Sequence, residues 1–164
     1  MLLSTRRHVI RLALPLAILT FGTTPLQRAL AASAAGAMGA DQATIDFYNK
    51  ITARDLEGVS RYLPPEGFTE FPVGGGALIK LDRKAFDGFL KSDTEINLRA
   101  TDVSVENHGT TAIVTGLRVG SITPRGQAVT VHRHALTMVW VNTPAGWILR
   151  HVHVSAIAPT AAPK

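Results

Sequence analysis

Residues 132–157, HRHALTMVWVNTPAGWILRHVHVSAI, decide the fold, because two stretches of alternating apolar and polar residues flank a single turn. A period of two is typical of β-strands. The residues from Asn142 to Gly146 are of the types that favour turns. The pattern therefore predicts a hairpin whose strands cover residues 128–141 and 147–157 and close a sheet.

Strict alternation predicts which side chains of this hairpin share a face of the sheet. One face of the second strand would hold Trp147, Leu149, His151, His153 and Ser155. One face of the first strand would hold His132, His134, Leu136, Met138 and Trp140. Both sets mix apolar and polar residues, which suits a sheet that lines a cavity on one side and packs on a partner subunit on the other.

The residues before the hairpin predict the rest of the domain. A period of two recurs over residues 94–107 and 111–122 and predicts two long strands, with a short one at 67–71. Three helices are predicted at 41–54, at 56–63 and after Asp82, which is a suitable N-cap. Helices followed by long strands predict an α+β fold, in which a strongly curved antiparallel sheet wraps around three N-terminal helices.

Three motifs of the hairpin carry a family resemblance. Thr137-x-Val139-Trp140, Gly146-Trp147 and His151-x-His153-x-Ser155 resemble the end of the calcium/calmodulin-dependent kinase II association domain and of many SnoaL-like proteins. These proteins are members of the nuclear transport factor 2-like superfamily. The resemblance covers roughly residues 41–158 and implies a cone-shaped domain. The superfamily includes isomerases, cyclases, dehydratases, assembly modules and transport adaptors, so the resemblance implies no particular activity.

One activity of the superfamily is tested at residue level. The segment from Thr69 to Gly74 resembles the part of ketosteroid isomerases that carries their Asp general base directly before a Pro. Phe71 stands at that position here, and a phenyl ring cannot accept a proton. The isomerase Tyr falls near Phe47, with Tyr48 one position away, and the oxyanion-hole Asp falls near His134 or Ala135. We therefore exclude steroid isomerisation by that mechanism.

Two His-x-His pairs, His132-x-His134 and His151-x-His153, lie on the neighbouring strands of the hairpin. A loop of two or four residues would set His134 opposite His153, whereas an odd-numbered loop would place them on opposite faces. His134 and His153 are thus the candidate catalytic acid–base pair. No metal or cofactor is predicted, because related domains carry the second pair as a structural one, and these strands contain no Asp or Glu.

Arg118 lies in a strand rich in β-branched residues, at the position of an Arg that points into the pocket of the kinase association domain. In an apolar cavity it would bind a carboxylate or another anion by a bidentate contact. The alternative is an Arg whose charged end reaches the surface. Glu70 is either its ion-pair partner or a solvated residue. The predicted ligand-binding residues are Tyr48, Phe71, Arg118, His134, His151 and His153.

The net charge of +5 does not indicate nucleic-acid binding. Four of the 17 Lys and Arg residues, and none of the 12 acidic residues, lie in the first 30 positions. The other 13 basic residues are nearly balanced by the acidic ones and form no basic stripe. The chain contains no cysteine, which excludes disulfides, thiolate metal sites and a Cys nucleophile.

Residues 1–37 have the pattern of a cleaved export signal, with Arg6-Arg7, an apolar stretch over 12–21 and a small-residue end at Ala29-Leu30-Ala31. The apolar stretch is too short for an ordinary membrane span. The twin arginine resembles the signal for export of folded cargo, and an ordinary signal with two basic residues explains the same pattern. We expect a periplasmic or secreted protein without stable membrane insertion after cleavage, and a disordered tail at 159–164.

Three functions stay open at this point. The first is a binding module that holds a small, partly apolar ligand in its cavity and forms a homodimer through the outer sheet face. The second is a lyase- or isomerase-type enzyme that uses His134 or His153 as its general base. The third is a homo-oligomeric assembly module with a vestigial pocket. An open cavity favours the first two, and a solidly packed interior favours the third.

Overall fold

The computed structural model describes residues 38–157, which form three helices and six strands. The helices are α1 (Ala40–Thr52), α2 (Leu56–Ser60) and α3 (Arg83–Lys91). The strands are β1 (Phe68–Phe71), β2 (Ile79–Leu81), β3 (Thr94–His108), β4 (Thr111–Pro124), β5 (His132–Thr143) and β6 (Gly146–Ala156). The predicted export signal and tail lie outside the described residues. Within 38–157, no helix has both the length and the apolar character needed to cross a bilayer.

The six strands form one curved sheet in the order β2-β1-β6-β5-β4-β3. All neighbours are antiparallel except β1 and β6, which pair in parallel, so the predicted antiparallel sheet contains one parallel pair. A bulge in β3 between Thr101 and Ser104, with Asp102 at φ 53°, interrupts the pairing with β4 and increases the local twist. The predicted α+β class, with N-terminal helices and a curved sheet, is confirmed.

One strand starts later than predicted, and one short strand was missed. β5 begins at His132 instead of 128, because its pairing with β4 ends at Gly120, and the rest of β4 pairs with β3. Val129 and Val131 favour a strand by residue type but lie exposed in the preceding loop. β2 was not predicted, since three residues are too few to show a period. The extents of β5 and β2 depend on the strands they pair with, β4 and β1, which local sequence patterns do not reveal.

The second helix is shorter than predicted and ends at Ser60 instead of Leu63. The amides of Tyr62 and Leu63 donate to the carbonyl groups of Val59 and Ser60, so the chain finishes in tight turns of the i→i+3 type. Asp82 caps α3 as predicted, and its carboxylate accepts a hydrogen bond of 2.8 Å from the amide of Ala85.

The closed end of the cone, defined here by Thr44, Phe47, Tyr62 and Trp140, is solidly packed. The ring of Phe47 meets those of Tyr62 and Trp140 edge-on, with centroids 6.1 Å away in both cases. Trp140 is fully buried, and its Nε1–H donates to Thr44 Oγ1 at 2.9 Å. Thr44 in turn donates to the carbonyl of Ala40. These contacts fasten α1 to the inner face of β5.

A bulge in β6 changes which side chains face the core. Val139 pairs with His151 and Trp140 pairs with Leu149, so Arg150 is an extra residue without a partner position on β5. Leu149 is therefore buried on the core face together with Val152 and Val154. The prediction that Leu149, His151 and His153 share a face is wrong. The amide of Leu149 donates instead to the carbonyl of Tyr62 at 2.8 Å, a contact made outside the sheet.

Candidate functional site

The interior of the cone is hollow beyond Phe47. A cavity of about 230 Å³, which we call the cone cavity, lies between α1, α3 and the inner face of the sheet. Most of its wall is apolar and includes Ile51, Phe86, Phe89, Leu98 and Ile122. Three polar side chains interrupt that wall, namely Tyr48, Glu70 and Arg118. The sequence pattern of β1 explains Glu70, because alternation from the buried Phe68 also turns residue 70 inward.

Arg118 is the most distinctive of the three polar residues. Its side chain is 15% exposed, and its guanidinium nitrogen Nη1 lies 3.9 Å from Oε1 of Glu70, as the ion-pair interpretation predicts. Its Nε is buried and makes no hydrogen bond to any described residue. A buried donor without an acceptor is energetically unfavourable. Arg118 is therefore a cavity-lining residue with one buried donor that no described residue satisfies.

Burial governs the protonation of the other two polar groups. Burial raises the pKa of Glu70 above its ordinary value, although the positive charge of Arg118 opposes the shift. Burial also raises the pKa of Tyr48, with Arg118 opposing this shift and Glu70 adding to it. The Tyr48 phenol is therefore protonated at neutral pH and is available as a hydrogen-bond donor.

A second space of about 180 Å³, which we call the His cleft, adjoins the cone cavity at Arg118. His132 and His134 line it, with parallel imidazole rings whose centroids are 5.5 Å from each other. His134 stands directly across from Arg118 in the β4–β5 register. Burial, followed by the charge of Arg118 and the neighbouring His132, lowers the pKa of His134 below its ordinary value of 6.5.

The remaining predicted ligand-binding residues lie elsewhere. Tyr48 and Arg118 line the cone cavity and His134 lines the His cleft, whereas Phe71, His151 and His153 lie on the outer face of the sheet. The Phe71 ring is 5.8 Å from the His151 ring and 5.9 Å from the His153 ring. The prediction that these three residues line the same pocket as Arg118 is wrong, because alternation turns Phe71 outward and the bulge does the same for both histidines.

The candidate pair of His134 and His153 is also wrong. Thr143 pairs with Gly146, so the hairpin loop has two residues, which would by itself keep both histidines on one face. The extra residue at Arg150 moves His151 and His153 to the opposite face of the sheet. His153 pairs with Thr137 while His134 pairs with Ala156, and the two imidazoles therefore lie on opposite faces of the sheet. They cannot act together on one ligand.

The side chains of residues 38–157, the part of the chain that the structure describes, form no metal site. In that part of the chain, no three His, Cys, Asp or Glu side chains come together in a way that could hold a metal ion. Two polar residues of these spaces are missing from the predicted ligand-binding set, Glu70 in the cone cavity and His132 in the His cleft. Both could have been found from period-two alternation alone, since Glu70 follows Phe68 by two and His132 precedes His134 by two.

Similar solved structures share the fold. One is a candidate dehydratase of the nuclear transport factor 2-like family from Streptomyces avermitilis, with 23% identity, a TM-score of 0.57, and coverage of 70% of this chain and 90% of that one. The hub homology domain of calcium/calmodulin-dependent kinase II from Chlamydomonas reinhardtii has 19% identity and a TM-score of 0.55, covering 70% and 92%. A nuclear transport factor 2-like protein of unknown function in nutrient uptake from Rhodospirillum rubrum has 21% identity and a TM-score of 0.56, covering 70% and 98%.

These identities are low enough that the structural likeness establishes the fold and not the activity. No curated protein matches the chain. The sequence profile of the family described as SnoaL-like domain matches residues 41–159, which include every described element from α1 onward apart from the first residue of that helix. The curved sheet, the helices in front of it and this match agree, and the chain belongs to the SnoaL-like family of nuclear transport factor 2-like domains.

Proposed function

We propose that this protein binds a small organic anion with an apolar body in the cone cavity, and that Arg118 anchors the charged group. The observation that carries the proposal is Arg118 itself, a guanidinium that lines a mostly apolar cavity and whose buried Nε has no hydrogen-bond acceptor. Sites for drug-sized ligands measure about 300–1,000 Å³. The cone cavity, at about 230 Å³, suits a smaller molecule.

The surroundings of Arg118 strengthen its contact with an anion. Hydrogen bonds to a guanidinium are charge-assisted, and their strength rises where water is excluded. Glu70 is the competing anion, but its raised pKa means that burial already disfavours its charged form. A carboxylate ligand that reaches Arg118 can therefore displace a weakly held partner, while Tyr48 remains available as a second donor.

The test compares two ligands that differ only in charge, hydrocinnamate and its neutral amide, by isothermal titration calorimetry. We expect the carboxylate to bind more tightly than the amide, and Arg118→Gln to weaken the carboxylate about tenfold to a hundredfold. The matched control is Arg133→Gln, because Arg133 is an exposed Arg of β5 that lies 4.0 Å from Asp102. Equal affinities for both ligands, or equal effects of the two variants, would contradict the proposal.

A proton-transfer enzyme is the second candidate, and Glu70 is the observation that favours it. A carboxylate with a raised pKa beside a protonated Tyr48 can take a proton from a carbon next to a carbonyl and return it. The test is deuterium exchange into benzylacetone, the ketone analogue of hydrocinnamate, followed by NMR in deuterium oxide. Exchange that exceeds the buffer rate and is lost in Glu70→Gln supports this activity, and exchange at the buffer rate contradicts it.

We also propose that the protein is a homodimer joined through its outer sheet face. Support comes from the half-buried Leu117, Val139 and Ile148 of that face and from the likeness to a hub homology domain. Sedimentation equilibrium should give twice the chain mass, and Val139→Lys should halve it because it places a charge at the contact. A monomeric wild-type protein contradicts the proposal.

Export to the periplasm or beyond is proposed from the residue pattern of positions 1–37. Cell fractionation should find a shortened chain outside the cytoplasm. Replacing both arginines by lysine, Arg6→Lys with Arg7→Lys, should block export if the twin-arginine route is used and leave it intact for an ordinary signal. A full-length chain in the cytoplasm contradicts export by either route.

A further inference from the structure

The cone cavity and the His cleft meet at one side chain. Leu98, Arg118 and Ile122 line both spaces, so the mostly apolar cone cavity adjoins a cleft that contains two imidazoles. Taken together, the two volumes reach the range of ordinary small-molecule sites, whereas the cone cavity alone falls below it. The protein thus offers room for a ligand that has its body on one side of Arg118 and part of its head group on the other.

We propose that the His cleft is a second anion subsite, and that the ligand carries a doubly charged head group held by Arg118, His132 and His134 together. This inference rests on the proposed binding function and names the class of ligand. The class is a small apolar body with two negative charges at one end, as in a substituted malonate or a phosphomonoester. The apolar body occupies the cone cavity.

The distribution of charge around Arg118 directs the head group to the cleft. Glu70 lies on the cone-cavity side, 3.9 Å from Nη1 of Arg118, and when ionised it repels a second negative charge placed there. Among the described residues that line the His cleft, none carries a carboxylate. Arg118, His132 and His134 are the residues of that lining with polar side chains, and a guanidinium and an imidazole can both donate hydrogen bonds to an anion.

The neighbours of His134 make its charge depend on the ligand. Arg118 faces it from β4 and His132 flanks it on β5, whereas its β6 partner is Ala156 and the lining residue of β3 is Leu98. Positive neighbours disfavour a protonated imidazole when no anion is present. A bound dianion reverses this balance, so binding of the dianion is accompanied by proton uptake at neutral pH.

The experiment compares benzylmalonate with hydrocinnamate, which has the same body and one carboxylate fewer. We expect the wild-type protein to bind benzylmalonate about tenfold more tightly at pH near 6, with a smaller preference at pH near 8. The double variant His132→Gln with His134→Gln should reduce this preference to about twofold or less, because it weakens benzylmalonate more than hydrocinnamate. Titrations in buffers of different ionisation enthalpy measure the proton uptake directly.

The chain contains its own matched control, the second His-x-His pair on the outer face. The double variant His151→Gln with His153→Gln removes the same side chains and should keep the full preference for benzylmalonate. A wild-type protein without the preference, or a preference that survives the loss of His132 and His134, overturns the inference. If hydrocinnamate binds through Arg118 in either case, the proposed function stands although the second subsite does not.

A third ligand distinguishes the two chemical sources of a double charge. Benzyl phosphate has the same aromatic body and a phosphate in place of the two carboxylates. Tighter binding of benzyl phosphate assigns the head group to phosphomonoesters, and tighter binding of benzylmalonate assigns it to dicarboxylates. Binding of both no tighter than hydrocinnamate contradicts a dianion subsite.

Discussion

The two ends of the cone interior are built from neighbouring elements but differ in packing: the closed end is filled, and the open end holds a cavity. At the closed end, Trp140 and Phe47 fill the space between α1 and the sheet, and the Trp140 donor finds Thr44. At the open end, one strand further along the sheet, Arg118 keeps a buried donor unused beside a cavity of about 230 Å³. Hydrogen-bonded polar groups in dense packing stabilise the fold. A buried polar group without a partner beside a cavity indicates a binding site instead.

Because the two ends differ in this way, substitutions can change the stability of this domain and its ligand binding separately. Phe47 is the boundary between the two ends, because it packs against Trp140 and also lines the cone cavity. Substitutions on the Trp140 side should lower the free energy of unfolding, and substitutions on the Arg118 side should change binding instead. The following three expectations test that separation, in order of decreasing effect.

Trp140→Ala should produce the largest loss, about 3–5 kcal/mol of unfolding free energy, because it empties a fully buried site that cannot refill. The matched change at the open end is Phe89→Ala, which enlarges a cavity that already exists and should cost only about 1 kcal/mol. Urea denaturation of both variants measures the difference. Similar losses for the two variants would mean that the open end is as tightly packed as the closed end.

Thr44→Val should cost about 1–3 kcal/mol, although it preserves the shape of the side chain. The substitution removes the acceptor of the Trp140 Nε1–H and leaves that donor buried without a partner. Thr44→Ser keeps the hydroxyl and serves as the control, with a smaller loss. Urea denaturation that gives the two variants equal stability would show that the hydrogen bond contributes little.

Glu70→Gln should have the smallest effect, and its sign depends on pH. Burial raises the folded pKa of Glu70, so its contribution to stability is fully present at low pH and is lost as pH rises through the folded pKa. The variant should therefore gain stability relative to wild type as the pH rises from about 4 to 7.

Glu66 provides the control for this pH dependence. Its own backbone amide and then Arg150 lower its pKa, so the charged form is the favoured one in the folded state. Glu66→Gln should therefore change stability in the opposite direction over the same pH range. Thermal unfolding at several pH values compares the two variants, and parallel pH profiles would contradict the assignment of Glu70 to a buried site.

Much of the domain could be predicted from local patterns. Period-two alternation located β3, β4 and β6 to within two residues at either end, and a single Asp placed the start of α3. The resemblance of the hairpin to SnoaL-like proteins predicted the family. The same resemblance implied that Arg118 points into a pocket, and the structure finds Arg118 at the wall of the cone cavity. These features depend on residues that are close in sequence, so the sequence contains the information directly.

The positions of the histidines could not be predicted in this way. Their faces depend on the unpaired Arg150, which occurs where the amide of Leu149 leaves the sheet to bond the carbonyl of Tyr62. This contact joins residues 87 positions apart in the chain, as their numbers show. A shift of one residue moves every later side chain to the other face.

The amino-acid sequence by itself determined the family, the presence of one Arg in an apolar strand, and the order of the helices and of every strand except β2. Each of these follows from short-range alternation or a local motif. The tertiary structure alone decided that His132 and His134 join Arg118 while His151 and His153 face outward. The physical reason is that the bulge occurs where a hydrogen bond joins two distant segments, and the residue alternation of neither segment predicts that bond.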